Sequence, residues 1–542
     1  METSTLPAMD SFRVPSITEF PEAERTQSLS AVLALCAALY EMNRKQAETI
    51  QQLRDEIARL KGQKPRPDIK PNVPEGKQRG RAPSVGKRPG SLKRAKTGKL
   101  PVTKTIIVSA KDVPVGSVRR GYEDYTVQDL IITAEVTRFR RERWEAPDGA
   151  TVTALLPAGI NSHFGATLRS FVIDQHQLRV TQSRILEELR DFGIDISEGE
   201  ISAMLTEHHD AFHAEKEAIL KTGLALSSYI NTDDTGARHN GKNGYCTHIG
   251  NAMFAWFSST GSKSRINFLS ILRVGMGQMD YVLNKEAFAY MQEQLLSQDV
   301  LKKLRKRSRK ICDDAAWQKR LNALGITDER HRRIATDGAL LGSLLYHGLP
   351  PTLVILSDDA GQFNVLLHAL CWIHAERTIK KLIPVSDEHR RIVEDVRKQI
   401  WTFYDDLKMY QRSPEASAAQ DMRMRFDGLF TQQTSFPSLN DSLERIHRNK
   451  EELLLVLHRP EIPLHNNESE RDIREYVIKR KVSGGTRSEK GRLARDTFMS
   501  LRKTCRKLGV NFWDYLNDRL SGTHHIPPFC ELLAAKLSVT VT

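Results

Sequence analysis

Apolar positions recur with a seven-residue period from Leu29 to Leu60, which predicts a heptad helix. Position a holds Leu29, Cys36, Asn43, Ile50 and Ile57; position d holds Val32, Leu39, Gln46, Leu53 and Leu60. Asn43 at an a position is the kind of polar residue that fixes register in a parallel pair. The Lys/Arg/Glu/Gln-rich outer face, ending in Pro65, Pro67, Pro71 and Pro74, favours a protruding coiled coil at 29–60 over a helix folded onto its own chain. The polar, proline-punctuated stretch 1–28 predicts disorder. Periodicity disappears over 61–104, a Pro/Gly-rich linker. Short β-like runs, Thr105–Val108 and Leu130–Val136, predict a small β module over 105–153. A helical pattern covers 154–225. Within it a helix, a Phe192-Gly193-Ile194 turn and a Ser197…Glu200 capping signal give a helix–turn–helix-like layout, read as a DNA-binding region with an ordinary αα-hairpin as the alternative.

Strand patterning begins at Tyr229. The run YINTDD ends in two acids, HNGKNG is a hairpin signal, and YCTHIGNAMFAWFSST contains two further strands. Lys285–Leu296 has helical spacing. Leu353–Leu356 is an apolar strand followed by Asp358 and Asp359, and LLHALCWIHAERTIKKL follows as a helix. Residues 383–464 are helical throughout. A helix opens near 467, and a Ser483-Gly484-Gly485 loop and a basic helix to about Leu508 follow. The pattern predicts an α/β core in two parts, 226–382 and 465–520, split by a helical insertion at 383–464, with a tail at 521–542.

Charge sharpens this picture. The chain of 542 residues has a net charge of +14, and 61–104 alone holds 14 Lys/Arg against Asp68 and Glu75. A polyanion partner is the natural reading, because cations near phosphates release counterions; a solvated linker is the alternative. The run Lys302–Lys310 is either DNA-backbone contact or an exposed helix face. Six scattered cysteines without a CxxC pair argue against a disulfide framework and fit a reducing compartment. The absence of a long apolar run or a basic leader predicts neither a membrane span nor a signal peptide.

Acids that end adjacent strands would converge at one sheet edge, where a cation offsets their repulsion. Oxygen-only donors point to Mg²⁺ or Mn²⁺. Asp233, Asp358 and Glu470 are the candidate set, although a strand-terminal Asp is also an ordinary turn residue. Cys371 and His374 have ligand-like spacing but, lacking a second pair, read as helix packing. Arg471 and Arg474 could hold Glu470, contact phosphate or face solvent.

Three motifs in combination resemble the DDE-type transposases of the insertion sequence 66 family. They are Asp233-Asp234-Thr235; Asp358-Asp359-Ala360-Gly361-Gln362-Phe363 with Cys371-x-x-His374-x-x-Arg377; and Asn467-x-x-Glu470-Arg471-x-x-Arg474 with Arg480-Lys481. The resemblance implies an RNase H-like catalytic core and metal-dependent DNA cleavage and strand transfer. It assigns Asp233, Asp358 and Glu470 as catalytic, metal-holding acids, and Arg471, Arg474, Arg480, Lys481 and Arg487 as DNA contacts. It also implies double-stranded DNA as partner, self-association through the coiled coil, a place in the bacterial cytoplasm at the nucleoid, and leaves accessory transposition proteins open. The family's usual cysteine zinc module would fall at 105–153, which has no cysteine, so no zinc is expected. An RNase H-like nuclease or resolvase and a catalytically silent DNA-binding derivative are the alternative readings.

Deleting 61–104 should flatten the slope of log affinity for DNA against log salt, because each lost phosphate contact removes about 0.9 from that slope. Fluorescence-anisotropy titrations at several salt concentrations measure it.

Overall fold

The computed structural model describes Leu29, Val32 and residues 101–540 apart from 158, 159, 161, 307–309, 312 and 385. The segments expected as disordered (1–28), as coiled coil (29–60) and, up to residue 100, as basic linker therefore lie outside the described residues, save Leu29 and Val32, which are both helical. The chain divides into two units, 1–128 and 129–542.

In the first unit, 101–128 is irregular and exposed throughout. The second unit opens with a hairpin of β1 (Arg143–Glu145) and β2 (Thr151–Thr153). The expected strands at Thr105–Val108 and Leu130–Val136 are absent. Their side chains have β-type alternation but nothing among the described residues pairs with their backbones, and a strand requires a ladder.

Helices α1 (Ala166–Gln177), α2 (Gln182–Asp191), α3 (Glu198–Thr206) and α4 (Asp210–Leu226) follow. The turn before α3 has the capping box read from the sequence: Ser197 Oγ accepts from Glu200 N–H, and Glu200 accepts from Ser197 N–H. Glu215 on α4 is held from the C-terminal region by Arg519 (3.0 Å) and Tyr515 (2.8 Å).

The central sheet contains β3 (Tyr229–His239), β4 (Lys242–Gly250), β5 (Ala255–Thr260), β8 (Val354–Ser357) and β9 (Leu367–Leu370). Its order is β5-β4-β3-β8-β9. The first three strands form an antiparallel meander, and β8 and β9 run parallel to β3. Asn240 and Gly241 both have positive φ at the β3–β4 turn, the geometry that an Asn-Gly pair favours. Two expectations are corrected here. The acids Asp233 and Asp234 do not end their strand: β3 continues to His239 because the hairpin extends its pairing with β4. Leu367–Leu370 is a strand, not the start of a helix, because β8 offers it a buried parallel edge.

Between β5 and β8 lie α5 (Arg265–Gly275), β6 (Tyr281–Val282), α6 (Lys285–Glu293), α7 (Gln298–Arg305), β7 (Lys310–Ile311), α8 (Asp314–Ala323) and α9 (Glu329–Tyr346). On α7, Leu301 and Leu304 are buried while Lys302, Lys303 and Arg305 face solvent. Helix α9 is buried for eleven consecutive residues, Ile334–Leu344. It fits because Gly342 lies against the Val282 carbonyl, where a Cβ would collide.

After β9 come α10 (Trp372–Lys380), α11 (Asp387–Arg412), α12 (Ala416–Phe430), α13 (Pro437–Arg448) and α14 (Lys450–Leu453). Val393, Val396, Ile400, Phe403, Leu407 and Tyr410 mark the buried stripe of α11. These helices share their own apolar cluster, entered from the sheet by Trp372. The chain then returns through α15 (Asn467–Ser483), α16 (Glu489–Leu508), α17 (Phe512–Ser521) and α18 (Phe529–Thr540). Among the described residues, no helix is long and apolar enough to cross a membrane.

Trp372 ties the sheet to the helical layer. Its ring lies 5.5 Å from Phe403 and 6.0 Å from Phe426, and its indole N–H donates to the Leu453 carbonyl at 2.9 Å. Trp372→Ala should cost about 3–5 kcal/mol. Thermal unfolding and hydrogen exchange across 387–457 check it; unchanged protection there counts against this role.

Candidate functional site

The site is built on one face of the sheet. Along β3, Ile230 belongs to the large core under one face, together with Ile249 of β4, Trp256 of β5 and Ile355 of β8. The opposite face carries Cys246, Ala255 and Phe257, which pack against Ile473 and Tyr476 of α15. Strand alternation then assigns Asn231 and Asp233 to the α15 face and Asp234 to the other. Asp233 pairs in register with His248, whose ring bonds Ser469 Oγ of α15 at 2.6 Å and approaches Asp472 at 3.3 Å. Asp358 follows β8 with the parity of Leu356, the residue in register with Asn231, so it shares the Asp233 side.

Asn466, immediately before α15, sets that helix on the strand. Its side chain accepts from Asn231 Nδ2 at 2.8 Å and donates to the Thr232 carbonyl at 2.8 Å, both directly upstream of Asp233. It is fully buried. Its backbone N–H also donates to Cys371 Sγ at 3.2 Å, which ties in the start of α10. One turn along α15 stands Glu470, whose N–H donates to the Asn466 carbonyl.

Asp358 and Glu470 both lie within electrostatic reach of Asp233. Burial, and then the charge of Asp358, push the Asp233 carboxyl up to about 7, with Asp234 and Glu470 adding to the rise and a hydrogen bond from Asp234 N–H opposing it. Glu470 is clasped by Arg377 of α10, whose two terminal nitrogens stand 3.2 and 3.4 Å from its oxygens. His374 lies 3.6 Å from Glu470 and accepts from Arg377 at 3.2 Å, placing a lone pair on its Nε2. Burial and Arg377 lower the basicity of His374, while Glu470 and Asp358 oppose that shift. The CxxHxxR segment thus supplies a second layer behind Glu470, a role that its spacing did not reveal. The donor chemistry is all oxygen and suits a hard divalent cation. As placed, no three carboxylate, imidazole or thiolate groups among the described residues surround a single point; Glu470 faces Arg377.

The neighbouring acids are engaged differently. Asp234 accepts from Thr247 (2.5 Å) and from Gln362 (3.2 Å), and burial raises its pKa against those bonds. Asp359 is exposed and lies near Arg445 (3.8 Å) and Asn449 (3.4 Å) of the helical layer. Of the predicted basic contacts, Arg471 and Arg474 line a groove between α15 and α16 with Lys503, Arg506 and Lys507. Arg471 pairs with Glu468 at 3.3 Å, not with Glu470. Arg480 lies against Gly236 of β3, 3.2 Å from where a Cβ would stand. Lys481 and Arg487 are exposed at the end of α15 and in the loop after it. That loop locks onto the far end of β3: Thr486 N–H donates to the Arg238 carbonyl, and the Thr486 carbonyl accepts from Asn240 N–H. Gly485 is needed there, because any Cβ would strike the Arg238 carbonyl.

Beneath α15, Asp472 is buried among His248, Lys503 (3.2 Å) and Lys507 (2.9 Å). Burial opposes its ionisation, yet His248 and the two lysines outweigh it and hold the carboxyl well below the usual range. Sequence reasoning missed Asn466, His248 and Asp472. The Asn466-Asn467 pair at a helix start was the one available signal, and it reads equally well as an ordinary cap.

The family described as "Transposase IS66 family" matches residues 309–494, which include Asp358, Arg377 and Glu470, while Asp233 lies before the matched segment. An uncharacterized protein, y4jO, of Sinorhizobium fredii (strain NBRC 101917 / NGR234) is 46% identical over 322 residues, covering 59% of this chain and the whole of that protein. These findings define a transposase-type protein. The chain belongs to the IS66 transposase family.

Asn466→Ala should strand the Asn231 amide and the Thr232 carbonyl without partners, at a cost of about 1–3 kcal/mol. A thermal-unfolding midpoint equal to that of the parent would remove Asn466 from its role in docking α15.

Proposed function

We propose that this chain is a DDE transposase with an RNase H-like core, which cleaves DNA at the ends of an insertion sequence and joins the freed 3′-OH to a target. The observation that supports it most is the raised pKa of Asp233, to which burial, Asp358 and Glu470 all contribute, although the three acids come from two adjacent parallel strands and a helix in widely separated parts of the chain. The sheet order, an antiparallel meander extended by two parallel strands, is consistent with that core.

In this reading Asp233, Asp358 and Glu470 would hold Mg²⁺ or Mn²⁺. When bound, such ions activate the attacking oxygen and stabilise the leaving oxygen in phosphodiester displacement. The chain's own residues do the rest. The β3–β8 pairing fixes the spacing of the two aspartates, and Asn466 fixes the helix that carries Glu470. Arg377 neutralises Glu470 while no cation is present, lowering the repulsion among three acids. Arg471, Arg474, Arg480, Lys481 and Arg487, with the linker 61–104, would meet the DNA backbone, where cations position the duplex without reading its sequence.

Asp233→Asn, Asp358→Asn and Glu470→Gln should each abolish cleavage and strand transfer on element-end DNA with Mg²⁺, and weaken Mn²⁺ binding seen by calorimetry, while DNA affinity stays close to that of the parent. Asp234→Asn and Asp359→Asn should be milder, since the former faces the opposite side of the sheet and the latter is exposed. Full-rate cleavage by the Glu470→Gln protein would overturn the assignment. Cleavage without any joining by the parent protein would favour the nuclease reading instead.

A further inference from the structure

The loop after β8 carries Asp358, and helix α5 holds that loop at two points. The loop backbone is folded onto the acid: Ala360 N–H donates to Asp358 Oδ1 at 3.1 Å, and Phe363 N–H donates to the Ala360 carbonyl at 3.1 Å. A carboxylate that closes its own turn in this way moves when the turn moves. Phe363 is buried and meets Phe268 of α5 edge to face, with ring centroids 5.0 Å apart. One turn before Phe268 on the same helix, Arg265 Nη2 donates to the Gly361 carbonyl at 2.6 Å. On the strand side, Ser357 Oγ donates to the Asp358 carbonyl at 2.6 Å and accepts from Nε2 of the buried His368 of β9 at 2.8 Å.

Arg265 is fixed from its other side as well. Its Nη1 donates to Tyr290 Oη of α6 at 2.8 Å, and that hydroxyl faces Asp337 Oδ2 of α9 at 3.5 Å. Tyr290 and Asp337 are both buried. An arginine ordered by a single surface contact loses rotamer freedom for little return. Here Tyr290 orders the guanidinium independently of the loop, so its second nitrogen is already aimed at Gly361.

The bond is not needed to satisfy the Gly361 carbonyl. Gly361 is exposed, and water would serve that oxygen equally well. What the planar guanidinium adds is location, because its two terminal nitrogens hold two acceptors at a fixed spacing.

We propose that Arg265 is the positioning residue of the Asp358 loop: by bridging Tyr290 and the Gly361 carbonyl it sets where the Asp358 carboxylate stands relative to Asp233. The proposal rests on the reading of Asp358 as a metal-holding acid, but its first measurement needs neither metal nor DNA.

Hydrogen exchange on the full chain, without cation or DNA, reads the loop directly. Arg265→Ala should speed exchange of the Ala360 and Phe363 amides on the order of tenfold while amides of α9 keep the parent's rates. Tyr290→Phe keeps the ring and drops only the hydroxyl, and it should shift the same two amides in the same direction. Calorimetry with Mn²⁺ and cleavage of element-end DNA then read the consequence. Arg265→Ala should weaken Mn²⁺ binding and lower kcat by about 10–100-fold, with KM for the DNA unchanged. Arg265→Lys keeps the charge but offers one nitrogen to two acceptors, so it should recover part of the lost kcat. Loop amides that exchange at the parent's rate in Arg265→Ala overturn the proposal. So does a loosened loop with parental Mn²⁺ affinity and kcat. A rise in KM alone overturns it too, and makes Arg265 a DNA contact instead. If the parent protein binds no Mn²⁺ and cuts no DNA, the catalytic reading falls, and loop exchange alone decides whether Arg265 fixes the loop.

Discussion

The two amide hydrogen bonds that Asn466 makes to β3 are the constraint on which the site depends. They span 235 and 234 residues of sequence and fall two positions and one position before Asp233. A buried primary amide is expensive unless both of its ends are used, and here both are, on a single strand. The start of α15 therefore has one satisfied position, and Glu470, a turn later, inherits it. The thiol of Cys371 takes the backbone N–H of the same residue, so α10 and its Arg377 are located by the same point. A substitution at Asn466 would disturb the strand, the helix and the arginine clasp together.

Electrostatics divides the two sides of α15. Facing the acids, Asp233 is pushed towards its neutral form by burial and by Asp358, and Glu470 is clasped by Arg377. Facing α16, Asp472 and Glu475 are surrounded by Lys503, Lys507 and Arg506. One side concentrates negative charge that its own chain only partly offsets. The other is internally compensated and serves to hold the helix down. Buried ion pairs contribute little net stability when intact and cost much when one partner is lost, so the compensated side acts chiefly to fix the orientation of α15.

How much of this was legible in the sequence depended on whether the signal was local. The Asn240-Gly241 hairpin, the Ser197–Glu200 capping box and the span of α16 to Leu508 are all local rules, and they were readable. The motifs in combination picked out Asp233, Asp358 and Glu470, and in the fold Asp358 and Glu470 come near enough to Asp233 to raise its pKa together with burial. The strand Leu367–Leu370 was not readable, because an apolar run of four residues fits a helix or a buried parallel strand equally, and its partner β8 decides. Helix α9 was missed because it is buried on all sides, so its small and polar residues (Thr336, Asp337, Gly338, Gly342, Ser343) carry no amphipathic stripe. In 105–153 the alternation was real, but alternation describes which way side chains point. It does not supply the neighbouring strand. His248 and Asp472 were invisible for a related reason: each is ordinary in its own segment and becomes informative only through a contact 224 residues away.

Helix α15 is fastened to β3 at both of its ends, by Asn466 at one and by Thr486 at the other. The 17 residues of α15 span about 25 Å at ~1.5 Å per residue. From Asn231 to His239 the strand covers about 26 Å at ~3.3 Å per residue. Helix and strand thus behave as two rulers of matched length clamped at both marks. One residue added to the helix would turn everything beyond it by about 100° and leave the second clamp out of phase; one added to the strand would invert the faces of all that follows. Insertions and deletions should therefore be absorbed in the loops and helices outside the clamps, such as the layer between α10 and Asn466, while a change of residue number between Asn466 and Thr486 would break one clamp or the other.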